Sequence, residues 1–235
     1  MRFQLKSLLL LLFSISIAIS TVYAANKYRK VTLKQIKAEG KVWGIDLSHH
    51  QADIDWDKLK EQKPHFVYLK TTEGCTIYDT KYEENYRKAR KAGITVGSYH
   101  FFSYRSNGRA QAEHFLKRAK YKTGDLPLVL DAEYRGNMPS EKIVRQELIA
   151  FLKVITTRTG YKPIIYCDYD YYEQYLKGHL KNEHQLWICD FRHEPDAKWL
   201  IWQTTDKFKI PGVDGNVDFN IFNGSKQKLN NLLKK

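Results

Sequence analysis

The 235 residues include 39 Lys and Arg against 26 Asp and Glu, a net charge of +13. Such an excess favours an anionic partner, a cell wall or a nucleic acid, without choosing between them. The length suits one well-cored domain, and the spacing of Cys75, Cys167 and Cys189 excludes a compact CxxC metal centre, as the absence of any HExxH excludes that zinc motif.

Arg2 and Lys6 precede an almost wholly apolar run, Ser7 to Ser20, and Val22-Tyr23-Ala24 follows it. Small residues at the two positions read by a signal peptidase predict a secretory signal over residues 1–24, cut between Ala24 and Ala25. The run is shorter than the roughly 20 residues that span a bilayer comfortably. An uncleaved anchor is the alternative, and it would leave the domain outside the membrane; the membrane enters only through this segment. No Cys follows the run, which excludes lipidation there. The mature chain then has 211 residues and a net charge of +11, since Arg2 and Lys6 leave with the signal.

A polar, lysine-rich leader is expected over 25–41, a barrel domain over 42–225 and a lysine-rich tail over 226–235. Strand-like runs come at Val42–Leu47, Phe66–Lys70, Ile94–Phe102, Leu126–Asp131 and Pro163–Cys167. Helical spacing separates them at Tyr82–Ala92, Gly108–Tyr121 and Ser140–Thr159, the last with Pro139 before it and an acidic first turn. Beyond Tyr175, the runs Leu186–Phe191, Trp199–Gln203 and Val217–Phe222 follow with no room for helices. Alternating strands and helices predict a parallel α/β sheet. Five strand–helix pairs followed by three bare strands supply the eight strands that close a barrel.

Polar residues recur at the predicted strand ends: Asp46, Asp131 with Glu133, Asp168, Asp190 and Gln203. In a parallel barrel that end carries the chemistry, because the βα loops converge there. Asp131 and Glu133, at i and i+2, share one strand face with Cβ atoms about 7 Å apart. Their repulsion raises one pKa and burial raises it further, which lets a carboxylic acid keep its proton near neutral pH and give it to a leaving oxygen. Two such groups are what glycoside cleavage needs. Trp43, Tyr68, Tyr99, Phe101, Tyr166, Trp187 and Trp202 lie in or beside strand ends, where rings can stack on sugars. Tyr99 and Trp202 are the two expected to be exposed, because His100 and Gln203 flank them. Cys167 and Cys189 sit in apolar runs, as a disulfide pair or as small buried side chains. His49 and His50, adjacent on an expected strand, point to opposite faces and cannot readily share one ion.

The motifs resemble glycoside hydrolase family twenty-five, the Chalaropsis-type lysozymes. Gly44-Ile45-Asp46-Leu47-Ser48-His49-His50-Gln51 with Ile54-Asp55-Trp56 looks like its opening strand. Phe66–Gly74 is similar to the second, Gly97–Phe101 to the third and Leu130–Glu133 to the fourth. Leu186-Trp187-Ile188, Trp202-Gln203 and Val217–Asn220 complete the order, from about Val42 to Phe222. The resemblance implies a (β/α)5(β)3 barrel and N-acetylmuramidase activity on bacterial peptidoglycan, without metal or organic cofactor. It implies Glu133 as general acid, Asp131 assisting the anomeric centre or positioning the acetamido group, and Asp46 and Asp218 in the pocket floor. Tyr99, Phe101, Tyr166, Trp202 and Gln203 are the expected sugar contacts. The protein is expected to be monomeric and either secreted or held in the periplasm or cell envelope.

Four rivals stand against that reading, the first a thiol hydrolase using Cys75 or Cys167 with a histidine, for which nothing fixes a Cys–His pair. The chitinase pattern D-x-x-D-x-D-x-E, aligned on Glu133, finds Val129 and Leu126 where aspartates belong, against a chitin-type N-acetylglucosaminidase. A non-catalytic wall-binding barrel does not explain four acids. Nucleic acid is not an expected partner, because no basic cluster is interleaved with strand aromatics.

Overall fold

The computed structural model describes residues 32–180 and 183–235. The expected signal over 1–24 and its cleavage site lie outside these residues. No helix among the described residues is long and apolar enough to cross a membrane.

Helix α1 (Leu33–Ala38) leads into β1 (Val42–Leu47), followed by α2 (Trp56–Glu61), β2 (Phe66–Glu73) and the two-residue β3 (Ile77–Tyr78). Next come α3 (Tyr82–Lys91), β4 (Thr95–Phe101), α4 (Gly108–Arg118), β5 (Val129–Asp131) and α5 (Glu141–Thr159). β6 (Ile164–Asp168) passes into the one-turn α6 (Tyr169–Tyr171), which widens into a π turn at Tyr172–Leu176. β7 (Leu186–Cys189), β8 (Ile201–Phe208) and β9 (Val217–Phe222) then follow without helices between them, and α7 (Lys226–Asn230) comes last.

Seven strands run parallel in the order β1, β2, β4, β5, β6, β7, β8, and β9 returns antiparallel between β8 and β1 to close an eight-stranded barrel. The sequence expectation of a (β/α)5(β)3 barrel describes this architecture. α5 shows why its rhythm was readable: Val144, Leu148, Phe151, Leu152 and Ile155 are buried at helical spacing. Gly160, at φ +76°, ends the helix in the left-handed conformation that a side chain resists. α4 stops at Arg118 rather than Tyr121, because Ala119 is already extended.

Alternate strand residues point into the barrel. Phe66, Tyr68, Val129, Ile164, Trp187, Ile201 and Phe222 pack there as one cluster, so the barrel is filled and not a pore. Large rings need small neighbours: a Cβ on Gly97 would lie 2.0 Å from the Tyr68 ring. At one end the filling reaches α7, whose Leu229 is buried in the same cluster, so part of the lysine-rich tail closes the barrel floor. In the expected leader, Ile36 of α1 is buried against the outer face with Trp43. The opposite end, where the seven parallel strands finish, stays open.

Candidate active site

The strand register gathers the polar residues at the open end. Asp46 of β1 pairs with Asp218 of β9, Asp131 of β5 lies between Phe101 of β4 and Tyr166 of β6, and Cys189 of β7 faces Gln203 of β8. Asp218 stands near the start of its strand because β9 runs the other way. Asp46, Asp131, Glu133 and Asp218 all line one cavity of about 690 Å³. β5 itself stops at Asp131, but the Ala132 N–H still donates to Tyr166 O at 2.9 Å, which keeps the chain extended to Glu133.

A relay of amides fixes Asp46. The buried indole N–H of Trp187 can only donate, and it gives its hydrogen to Asn220 Oδ1 at 2.8 Å. The Asn220 amide therefore faces Asp46, donating to Oδ2 at 2.7 Å. Gln203 Nε2 donates to the same oxygen at 3.3 Å, and Tyr166 Oη donates to Gln203 Oε1 at 2.7 Å. Burial, then the charge of Asp218, pushes Asp46 well above the usual carboxylate range. Their contact raises Asp46 and lowers Asp218, as a carboxyl of Asp46 donating to Asp218 would. Burial still raises Asp218 to about 6.

Asp131 and Glu133 form the second acidic pair. Burial raises Asp131 well above its usual range, helped by Glu133 and Asp46 and opposed by Lys70 and Arg135. Its Oδ1 is buried without a hydrogen-bond partner, so no direct donor there supports the charge that Lys70 and Arg135 favour from a distance. Glu133 is also raised, by burial first and by Asp168 and Asp218, against Arg135 and Lys70. Burial thus raises the proton affinity of both members of the pair. Lys70, nearly buried, pairs with Glu73 at 2.7 Å and lies 4.7 Å above the Phe101 ring.

Of the expected sugar contacts, Tyr99, Phe101, Tyr166 and Gln203 line the cavity. Tyr99 remains a phenol, held protonated by burial and by Asp46, Asp131 and Asp218. The face of Phe101 is taken, since the Arg135 guanidinium sits 3.9 Å above it. Trp202 corrects the expectation of an exposed ring. It is 8% exposed, packs on the outer face of the barrel and donates its indole N–H to Asp190 O at 2.8 Å. Strand alternation is the reason: Gln203 points into the mouth, so its neighbour points away. His100 likewise faces outward from beside Tyr99, buried between Thr72 and Gln111 and pushed down to about 3, hence neutral. The exposed rings at the cavity are instead Tyr134 (39%) and Phe191 (50%), in the segments just after Glu133 and Asp190.

His49 and His50 lie on a 3-10 turn rather than a strand, and their ring centroids are 4.0 Å apart. His49 Nδ1 engages the buried Asp79 at 2.8 Å, while His50 lines the cavity. All three cysteines are free thiols. Burial holds Cys167 and Cys189 far above the range in which a thiolate nucleophile forms.

The raised carboxylates carry a stability consequence. Asp218 titrates near 6 when folded against an ordinary 3.8, so the folded protein keeps a proton that the unfolded chain releases. This stabilisation is complete below about pH 4 and is lost as pH rises through 6. Asp218→Asn removes the ionisation and is expected to gain roughly 1–3 kcal/mol over the parent at pH 7.5, and little at pH 4. Melting temperatures of both proteins at the two pH values check this. A difference independent of pH would mean that Asp218 is not strained by its ionisation.

Comparison with known proteins places this geometry. Residues 45–213 match the family described as glycosyl hydrolases family 25. The chain is 35% identical to the uncharacterized protein YegX of Escherichia coli K12 over 204 residues, covering 83% of this chain and 74% of that protein. It is 31% identical to lysozyme M1 of Streptomyces globisporus over 205 residues, covering 80% and 70%. The structure of a family 25 glycosyl hydrolase from Bacillus anthracis superposes with a TM-score of 0.78 at 30% identity, covering 83% of this chain and 95% of that one. The chain belongs to glycosyl hydrolase family 25, and it is a glycosidase.

Proposed function

We propose that the protein is a lysozyme-type muramidase that cleaves the β-1,4 bond between N-acetylmuramic acid and N-acetylglucosamine in peptidoglycan. The supporting observation is the cavity itself: two buried acidic pairs, each with a raised proton affinity, at the mouth of a filled barrel. The likeness to lysozyme M1 supplies the substrate class. The signal expected over residues 1–24 would deliver the domain to the cell envelope or beyond, where its mature charge of +11 suits an anionic wall.

Glu133 is the general acid toward the glycosidic oxygen, and Asp131 carries the negative charge beside the anomeric carbon. That division requires the proton on Glu133 and the charge on Asp131, although burial raises the proton affinity of both. An acetamido N–H of the sugar, donating to the unpartnered Asp131 Oδ1, supplies what is missing, because a donor stabilises the charged form of its acceptor. With that donor in place the charge is favoured on Asp131 and the proton on Glu133. The Asp46–Asp218 pair and Tyr99 form the pocket floor. Tyr134 and Phe191 offer ring faces for the flanking sugars.

The test is chemical. Purified protein incubated with peptidoglycan should release fragments whose new reducing ends are N-acetylmuramic acid by mass spectrometry. Reducing-end N-acetylglucosamine would make it a glucosaminidase, and binding without release would make it a wall-binding barrel.

A further inference from the structure

A second cavity of about 860 Å³ adjoins the first and shares Glu73, Phe101 and Arg135 with it. The turn between β2 and β3, the loop after β4 and the residues beyond Glu133 enclose it. Its chemistry differs from that of the catalytic cavity. Arg105 and Arg135 both line it and are solvent-exposed, and among the described residues no carboxylate forms an ion pair with either. Glu73, the acid in its wall, is already engaged by Lys70 at 2.7 Å.

The second cavity also lacks a free ring face. Phe101 is covered by Arg135, Phe102 is 1% exposed, and Tyr104 packs edge-on to Phe102 at 5.4 Å with its hydroxyl shared with Tyr171. Sugars stack on open aromatic faces, whereas carboxylates are held by unpaired guanidinium forks. We infer that this side cavity takes the carboxylates of the peptide stem that muramic acid carries on its lactyl group, with Arg105 and Arg135 as the clamp. The inference rests on the muramidase reading above. Placement allows it: the two cavities share Glu73, Phe101 and Arg135, and residues 135–137, just beyond Glu133, wall the second. Stem recognition makes the peptide-bearing sugar the preferred occupant and separates it from N-acetylglucosamine, which has no such arm.

Three uncross-linked glycan substrates test this: one with intact stems, one stripped by an amidase, and one with its stem carboxylates converted to amides. None carries teichoic acid. The parent should show a KM about tenfold lower on the intact-stem substrate than on the other two, the scale of one charge-assisted hydrogen bond. Arg105 touches only the side cavity. Arg105→Glu should erase the preference while turnover of stripped strands is unchanged, which also reports correct folding, and Arg105→Lys should keep part of it. Equal kcat/KM for the parent on all three substrates, or a preference that survives Arg105→Glu, would overturn the inference. Failure to cleave any of the strands would instead overturn the muramidase reading, so the two failures are distinct.

Discussion

Glu133→Gln is expected to lower hydrolysis of purified peptidoglycan by about 10²–10⁴-fold, the usual contribution of a positioned general acid, while wall binding survives. Glutamine keeps the size and hydrogen-bonding reach of the acid but has no transferable proton. The environment supports the role: burial lifts the Glu133 proton affinity, so the acid form persists to higher pH than that of a free glutamate. The parent's pH–rate profile should accordingly fall on its basic limb as Glu133 ionises, and the variant should lose that limb. Near-parent activity in Glu133→Gln would move the acid to another residue.

Asp131→Asn is expected to slow turnover by about 10²–10³-fold, the range for losing one preorganised electrostatic group. The second consequence separates this role from simple loss of structure. In the complex, a charged Asp131 raises the proton affinity of Glu133, so the variant's residual activity should show its basic limb at lower pH than the parent's. KM should rise as well, because the acetamido N–H loses a charged acceptor. A variant with lowered kcat but an unmoved limb would mean that the two carboxylates do not share a proton during turnover.

The strand ends were readable because chain chemistry changes abruptly there. Leu128-Val129-Leu130 gives way to Asp131 and Glu133, and Val42–Ile45 to Asp46, since barrel filling demands apolar side chains until the mouth begins. Helices with several turns, such as α5, declare themselves by period. α2, with six residues, and α6, with three, are too short to show one. The site's partners were harder to read. Asn220 is a polar residue among the apolar ones of β9, and only the closure of β9 onto β1 sets it against Asp46. Lys70 looks like an ordinary surface lysine until the alternation of β2 turns it into the mouth. Trp202 failed for the same reason in reverse: a polar neighbour on a strand marks the opposite face, not exposure. Tyr134 and Phe191 sit in loops, where no periodicity says which way a ring points.

The return of β9 between the first and eighth strands of the barrel has a consequence in time. Asn220 reaches Asp46 across a sequence separation of 174 residues, so the two halves of one acidic pair are made far apart during synthesis. Loop-closure entropy delays contacts of that span, and high contact order slows folding. Until β8 and β9 have been made and docked, Asp46 has neither its amide donors Gln203 and Asn220 nor its acidic partner Asp218. The complete four-carboxylate site arises only when the last strand docks. Coupling the hydrolytic site to that final step keeps a wall-cutting enzyme unfinished until its whole barrel has formed.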